Sequence, residues 1–146
     1  MQFLFVQNMS TALDLEKHFL DCNMLYTPPL SERVDIKQYA KKVYSFAHKF
    51  EAWHFKDLLG LCAIYCNSKQ NQSAFLTDLS VSQSVQGQGI GSKLLEMAIS
   101  SLKSKSFTSL YLECSANNHV AIKVYRNQGF ICDRIGSSLL TFKLTL

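Results

Sequence analysis

A glycine-rich turn between a strand-like run and a helix-like run constrains this chain more than any other segment. Ala74–Val81 is a mostly apolar run of strand length. From Gly89 to about Lys103 apolar residues recur at helical spacing, on the stripe Gly91, Leu94, Leu95, Ala98 and Leu102. The turn between them, Gln86–Gly91, predicts free main-chain amides at a helix N-terminus. The helix dipole there favours an anion such as a phosphate.

The spacing of the glycines in this turn excludes two standard nucleotide-binding loops. Glycines at positions 87, 89 and 91 do not fit the GxGxxG pattern of dinucleotide-binding proteins. No Gly-Lys-Ser/Thr follows, as a Walker loop requires. A tight turn in which Gly91 only permits close packing of helix on sheet remains the alternative to an anion site.

Three further helices are predicted along the chain. Ser10 can cap a first helix that ends near Asn23, and a second covers about Asp35 to His48. The segment Met24–Ser31 between them contains two adjacent prolines and is predicted to be a stiff loop. A short helix covers Asn118–Gln128. The predicted order of elements is β-α-α-β-β-β-α-β-α-β-β.

The predicted strands are short and are separated by polar residues. Lys56-Asp57 indicates a hairpin turn, Asn67–Ser73 a polar turn, and Gly136 the turn of a C-terminal hairpin. Besides Ala74–Val81, the strands are Gln2–Val6, Phe50–Lys56, Leu58–Cys66, Ser109–Cys114, Phe130–Ile135 and Ser138–Leu144.

The composition is typical of one folded domain spanning residues 1–146. Apolar residues make up 47% of the 146 residues and charged residues 18%, which argues against intrinsic disorder. A net charge of +4 falls short of the basic footprint of a nucleic-acid-binding protein. The five cysteines are scattered, without a CxxC pair or metal-ligand spacing. With no signal-peptide or membrane-span pattern, we expect a cytoplasmic protein that binds no metal, nucleic acid or membrane.

Two motifs in the correct order make the chain resemble the GNAT superfamily of N-acetyltransferases. The loop Gln86-x-x-Gly89-x-Gly91 matches the Gln/Arg-x-x-Gly-x-Gly/Ala loop of that superfamily. Asn118-x-x-Ala121-x-x-x-Tyr125-x-x-x-Gly129-Phe130 is similar to its second motif. The strand end Leu112-Glu113 falls as it does in the ribosomal-protein alanine acetyltransferases of the superfamily.

The resemblance implies an α+β fold with acetyl-CoA as co-substrate. It implies a mixed, mostly antiparallel sheet of six to seven strands flanked by about four helices. This sheet would splay apart between the strand ending near Val81 and the strand ending near Cys114. In the gap, the amides of Gln86, Gly87, Gln88, Gly89, Ile90 and Gly91 would wrap the pyrophosphate. Main-chain groups of Leu79 and Val81 and the side chain of Asn118 would hold the pantetheine arm.

Catalytic roles also follow from the resemblance. Tyr125 would contact the coenzyme and act as general acid toward its sulfur, because a phenol pKa near 10 suits protonation of a thiolate. Glu113, or Asp78 on the preceding strand, or an ordered water would act as base for the acceptor amine. Leu79 N–H would stabilise the oxyanion. Structural alternatives stay open: Tyr125 as a core aromatic, Asn118 as a helix cap and either carboxylate as a solvent-facing group.

The resemblance also implies that the acceptor site lies in the loop and helix that precede the first hairpin. Tyr26, Pro29 and Tyr39 are the predicted contacts, and the scarcity of acids there argues against a polycationic acceptor. The predicted function is therefore acetyl transfer to a primary amine of a small molecule or peptide. A non-catalytic acyl-CoA-binding regulatory module is the alternative, an interaction domain with a plain glycine turn is a third, and a homodimer is left open.

Overall fold

The computed structural model describes residues 2–68 and 72–146, which fold into seven strands and four α-helices. The strands form one sheet in the order β1-β2-β3-β4-β5-β7-β6, in agreement with the predicted α+β architecture. The strands are β1 (Leu4–Gln7), β2 (Ala47–His54), β3 (Asp57–Ser68), β4 (Ser73–Val81), β5 (Ser109–Ser115), β6 (Ile131–Ile135) and β7 (Leu139–Thr145). The helices are α1 (Ala12–Cys22), α2 (Ile36–Phe46), α3 (Ile90–Ser104) and α4 (His119–Asn127).

Strands β4 and β5 form the parallel pair at the centre of an otherwise antiparallel sheet. They pair only from Ser73 with Ser109 to Leu76 with Leu112, although both strands continue beyond that point. The connection between them runs through α3, as a parallel crossover requires. The sheet therefore opens between the end of β4 and the end of β5, and the predicted splay is confirmed.

A β-bulge at Thr77 reverses the side-chain alternation of β4. Asp78 pairs with Ala63 and Leu76 with Ile64, so Thr77 has no partner on β3. Before the bulge, Leu76 packs into the core beneath α3. After it, Asp78 points to the opposite face, toward α1 and the loop that follows it. The bulge thus turns an acidic side chain away from the apolar core, in keeping with the tendency of bulges to re-aim side chains.

Two apolar clusters lie on the two faces of the sheet. One joins α3, α4 and the strands, with Leu94, Leu95, Leu110, Leu112 and Phe142 fully buried. The other lies beneath α1 and α2 and includes Leu15, Phe19, Ala40, Val43 and Leu61. Since each helix buries one stripe against the sheet, the layers are α/β/α.

The first helix begins one residue later than expected from Ser10 as its N-cap. Thr11 is the N-cap: its hydroxyl accepts from the amide of Asp14 at 3.1 Å, while Asp14 accepts from the amide of Thr11 at 2.9 Å. Ser10 instead donates its hydroxyl to the buried carboxylate of Glu51 on β2. The prediction of Ser10 as the cap is wrong because this long-range acceptor competes for its side chain.

Two other predicted boundaries shift because strand pairing overrides local pattern. The second helix ends at Phe46, since Ala47 and His48 pair with β3 instead of continuing the helix. The β2–β3 turn consists of Phe55 and Lys56, with Phe55 at φ 52° and 90% exposed. The helical end at His48 and the turn at Lys56-Asp57 are therefore wrong by one or two residues.

The C-terminal elements agree with their predictions. Gly129, with φ at +98°, follows the last helix, and its amide donates to Arg126 O at 3.0 Å. Strands β6 and β7 form the hairpin predicted about Gly136. The predicted polar turn Asn67–Ser73 falls in part on residues 69–71, outside the described residues; β3 continues to Ser68 and β4 begins at Ser73.

Candidate active site

A cavity of about 820 Å³ lies where β4 and β5 separate. Its wall is formed by the second half of β4, the glycine loop with the start of α3, the end of β5, the face of α4 and the loop that follows α1. Two motifs that are distant in sequence therefore border one space. The predicted site residues on this wall are Tyr26, Asp78, Leu79, Val81, Gln86, Gly87, Gly89, Ile90, Gly91, Glu113, Asn118 and Tyr125.

The glycine loop presents main-chain amides to this cavity. Gly87 and Gly89 adopt left-handed conformations, with φ of +81° and +77°, which side-chain-bearing residues rarely adopt. Gly89 is the N-cap of α3 and supplies no side-chain cap, so the first amides of the helix have no partner within it. A Cβ added at Gly87 or Gly89 would meet no atom within 4 Å. Open space, free amides and the helix dipole together fit a diphosphate.

Tyr125 lies on the α4 side of the cavity. Its ring packs edge-on against Phe130, with centroids 5.7 Å apart, and the residue is only 8% exposed. Burial raises the pKa of the phenol above its ordinary value, and the nearby Cys114, Cys62 and Asp78 raise it further. Tyr125 is therefore both a packed core aromatic and a residue of the cavity wall. Its hydroxyl keeps its proton at neutral pH and can donate it.

Asp78 lies on the other side of the cavity and is held in a fixed orientation. Its side chain is 3% exposed and accepts a hydrogen bond from Tyr26 Oη at 2.5 Å and one from Ser80 Oγ at 2.6 Å. Burial raises the pKa of the carboxyl to about 6, while these two donors and the positive charge of Arg33 lower it. A carboxyl with this pKa is mostly ionised at neutral pH and readily protonated, as a general base requires.

Glu113 and Asn118 line the cavity from the β5–α4 segment. Glu113 is exposed, and it points away from the face on which its neighbours Leu112 and Cys114 are buried. Asn118 is the N-cap of α4 and accepts from the amide of Ala121 at 3.2 Å. The capping role predicted for Asn118 is confirmed, and its side chain borders the cavity as well.

One side of the cavity is formed by the loop between α1 and α2. Leu25, Tyr26, Thr27 and Arg33 line it. The Arg33 guanidinium lies 5.6 Å from the centroid of the Tyr26 ring, a cation–π contact beside Asp78. This loop therefore brings a cationic and a phenolic group to Asp78.

Three predicted site residues lie off the wall formed by the described residues: Gln88, Pro29 and Tyr39. Tyr39 packs on Phe19, with ring centroids 5.0 Å apart, and donates its hydroxyl to Thr77 O at 3.0 Å. It thereby holds the bulge that directs Asp78. Contacts of Pro29 and Tyr39 with an acceptor, and of the Gln88 amide with a coenzyme, stay predictions.

Three polar residues near Asp78 were missed by the sequence reasoning: His18, Ser80 and Arg33. Ser80 bonds both to Asp78 and to His18 Nε2, the latter at 2.8 Å. His18 falls on the apolar stripe of α1, between Leu15 and Cys22, and this position was the available signal. A histidine within a buried stripe indicates a polar partner on the facing strand.

A comparison with known families identifies this arrangement. The model of the Acetyltransferase (GNAT) family matches residues 13–130, a span that contains the glycine loop, Asp78, Glu113 and Tyr125. The chain belongs to the GNAT family. The resemblance inferred from the two motifs is therefore confirmed.

Solved structures of GNAT proteins share this fold. PaiA N-acetyltransferase from Thermoplasma acidophilum, in complex with coenzyme A, is 16% identical with a TM-score of 0.77, and 100% of each chain is covered. The ribosomal-protein-S18-alanine N-acetyltransferase from Escherichia coli is 18% identical with a TM-score of 0.77, covering 99% of this chain and 94% of the other. Both likenesses extend over the whole α/β/α domain.

A curated relative of this GNAT chain is N-alpha-acetyltransferase 30 from Xenopus laevis. It is 26% identical over 122 residues, which cover 82% of this chain. The chain spans 45% of the length of that relative. In the part of the chain that the structure describes, no helix is both long and apolar enough to cross a membrane.

Proposed function

We propose that this GNAT chain is an acetyl-CoA-dependent N-acetyltransferase that acts on a primary amine of a small molecule or peptide. One observation carries the proposal. A single cavity is bordered by the glycine loop, where the first amides of α3 have no partner within the helix, by the protonated phenol of Tyr125 and by the buried carboxyl of Asp78. An anion site, a proton donor and a proton acceptor are the groups that acetyl transfer to an amine needs.

The residues of β4, the glycine loop and α4 would hold the co-substrate. The amides of residues 86–91, Gln88 included, would bind the diphosphate without a metal ion. Leu79 and Val81 would bind the pantetheine arm through their main chains, and Asn118 through its side chain. When bound, acetyl-CoA supplies the thioester carbon that the amine attacks.

Asp78 is the proposed base. An alkyl ammonium with a pKa near 10 must lose a proton before its nitrogen can attack. A carboxyl whose pKa is about 6 is ionised in roughly nine molecules of ten at pH 7. Asp78 is buried and oriented by two hydrogen bonds, whereas Glu113 is exposed at the end of β5. These differences favour Asp78 over Glu113.

Tyr125 is the proposed acid. The hydroxyl is protonated at neutral pH and would give its proton to the thiolate that forms beside it, although burial makes the phenol a weaker acid than the ordinary pKa near 10 would. Its ring is fixed between Phe130 and Phe142, which keeps the donor in place. In the exchange the C–N bond would form and the C–S bond break, with the phenolic proton passing to sulfur. Of the two protons that the ammonium nitrogen loses, one would leave through Asp78 and the other would restore the phenol of Tyr125.

Two measurements on the full chain test this function. Acetyl-CoA at 100 times its dissociation constant should raise the free energy of unfolding by about 2.7 kcal/mol. Release of free coenzyme thiol should then be detected across a panel of small amines and N-terminal peptides. Stabilisation without thiol release from any amine would favour the non-catalytic acyl-CoA-binding module, and no stabilisation would favour an interaction domain.

The cysteines support a cytoplasmic location for the enzyme. Cys22, Cys62, Cys66, Cys114 and Cys132 are all free thiols, as in a reducing compartment. Fractionation of cells that produce the chain tests this location.

The edge strand β6 supports a homodimer as the assembly to test. It lies at the end of the sheet and exposes Ile131 and Ile135, at 64% and 81%. Sedimentation of the wild-type chain against a charged variant, Ile135→Lys, tests this assembly.

A further inference from the structure

A buried histidine lies directly behind the proposed base. His18 on α1 is 2% exposed, with Nδ1 3.1 Å from Leu58 O and Nε2 2.8 Å from Ser80 Oγ. A carbonyl oxygen can only accept a hydrogen bond, so Nδ1 carries a proton. Nε2 is left facing the hydroxyl that also contacts Asp78 Oδ2 at 2.6 Å.

The two contacts of Ser80 require more protons than its hydroxyl has. Hydrogen bonds along Nε2, Oγ and Oδ2 need two protons, and Ser80 supplies one. The second sits either on Nε2, which makes His18 cationic and Asp78 a carboxylate, or on Oδ2, which leaves His18 neutral and Asp78 an acid. If this second proton is on neither Nε2 nor Oδ2, one of the two short contacts joins two lone pairs.

When Asp78 takes up a proton, its surroundings favour Oδ2 over Nε2 as the site of this second proton. Burial lowers the pKa of His18 to about 4, although the hydrogen bond to the Leu58 carbonyl, the charge of Asp21, the Ser80 main chain and the charge of Glu51 raise it. Burial raises the pKa of Asp78 to about 6. In the acid form Oδ2 donates to Oγ, and Oγ donates to Nε2. The other titratable groups that face this pair are Cys22 on α1, Tyr26 and Arg33 in the loop, Tyr39 on α2, Cys62 and Tyr65 on β3, and Tyr125 on α4.

We propose that His18, acting through Ser80, is a positioning residue for the base and stabilises the acid form that Asp78 adopts after taking a proton from the acceptor ammonium. The proposal rests on the proposed function. The proton leaves the ammonium nitrogen and ends on Oδ2, and the Ser80 hydroxyl turns from Asp78 to Nε2. No bond between heavy atoms changes, and the proton later passes to solvent.

His18 therefore raises the proton affinity of the base. While Asp78 is a carboxylate, it competes with Nε2 for the single hydroxyl proton of Ser80. Once Asp78 is protonated, both contacts from Asp78 through Ser80 to His18 are hydrogen bonds. Tyr26 acts in the opposite direction, because its hydroxyl donates to Oδ1 and stabilises the carboxylate.

Two amide substitutions test the contacts of the two His18 nitrogens separately. His18→Asn places an N–H near the Nδ1 position, toward Leu58, but is too short to reach Ser80. His18→Gln is long enough to place an acceptor oxygen at Ser80. The acidic limb of the kcat/KM profile should move down by about one pH unit in His18→Asn, the size of one neutral hydrogen bond, and stay near wild type in His18→Gln. A limb that stays in place in His18→Asn would overturn the proposal.

A spectroscopic readout on the wild-type chain is independent of turnover and of whether the variants fold. The ¹⁵N shifts of the His18 imidazole should report a neutral ring protonated at Nδ1 from pH 5 to 8. A cationic ring, or a proton on Nε2 at pH 7, would refute the proton arrangement. If no amine yields free thiol and acetyl-CoA gives no stabilisation, the proposed function fails, and the ¹⁵N result then tests only the neutral, Nδ1-protonated state of His18.

Discussion

The hydroxyl of Tyr26 donates a 2.5 Å hydrogen bond to Oδ1 of Asp78, a residue 52 positions later in the chain. This bond connects the loop between α1 and α2 to the strand at the centre of the sheet. Both residues line the cavity. The loop that we expect to recognise the acceptor therefore also sets the protonation of the proposed base.

Removal of this donor should raise the pKa of Asp78. In Tyr26→Phe the carboxylate loses a hydrogen bond that stabilises its charged form. We expect the acidic limb of the kcat/KM profile to move up by about one pH unit, opposite in direction to His18→Asn. Tyr44→Phe is the matched control, because Tyr44 is 52% exposed and lies off the cavity wall. An unchanged limb in Tyr26→Phe would favour a base other than Asp78.

Removal of the Tyr125 hydroxyl should separate chemistry from binding. Tyr125→Phe keeps the ring between Phe130 and Phe142, so the fold should be preserved. Turnover should fall by about 10²- to 10⁴-fold, the contribution of a general acid. The dissociation constant of acetyl-CoA, measured by ligand-induced stabilisation, should stay within about threefold, because the amide site is intact. An equal loss of binding and turnover would mean that the phenol only shapes the site.

A methyl group in the glycine loop should weaken binding of acetyl-CoA. Gly89→Ala forces a left-handed residue at φ +77°, which costs about 1 to 2 kcal/mol, and its Cβ extends into the space before the amides. Gly129→Ala is the control, since φ is +98° there and the residue lies off the cavity wall. Both variants should lose similar stability in denaturant melts. Only Gly89→Ala should raise the dissociation constant of acetyl-CoA, and an equal rise in both would argue against an amide-bound diphosphate.

The parts of the site that could be predicted from sequence are those formed by short local sequence motifs. The glycine loop and the α4 motif with Asn118 and Tyr125 are local patterns, and the structure brings both to one cavity. The predicted helix end at His48 was wrong because the pairing of Ala47 with Tyr65, which ends the helix earlier, depends on the rest of the sheet.

The environment of Asp78 could not be predicted in the same way. It depends on the bulge at Thr77, which reverses the faces of β4 and leaves no local pattern in the sequence. It also depends on Ser80 meeting His18 across 62 positions. From alternation alone, Asp78 belongs to the same face as Leu76, and that face is the apolar core.

The raised pKa of Asp78 should be visible in the pH dependence of stability. Its folded pKa of about 6 lies above the ordinary 3.8, so the folded state binds the proton more tightly. The contribution of Asp78 is therefore fully present below about pH 3.8 and is lost as pH rises through 6. The opposite applies to His18, whose pKa falls from 6.5 to about 4: its contribution is lost as pH falls through that window. The two effects oppose each other in the wild-type chain.

Asp78→Asn should isolate the contribution of Asp78 to the pH dependence of stability. An amide at this position can donate to Ser80 and accept from Tyr26 at every pH, which imitates the protonated acid. The free energy of unfolding of Asp78→Asn relative to wild type should rise by about 2 kcal/mol between pH 4 and 7, the part of a pKa change from 3.8 to about 6 that falls in this range. Urea melts at half-unit pH steps measure this difference. Glu113→Gln, which alters an exposed carboxyl on the same cavity wall, should keep the wild-type pH dependence. A difference that is flat with pH in Asp78→Asn would mean that Asp78 has the same proton affinity folded and unfolded, and Asp78 would then lose its assignment as the base.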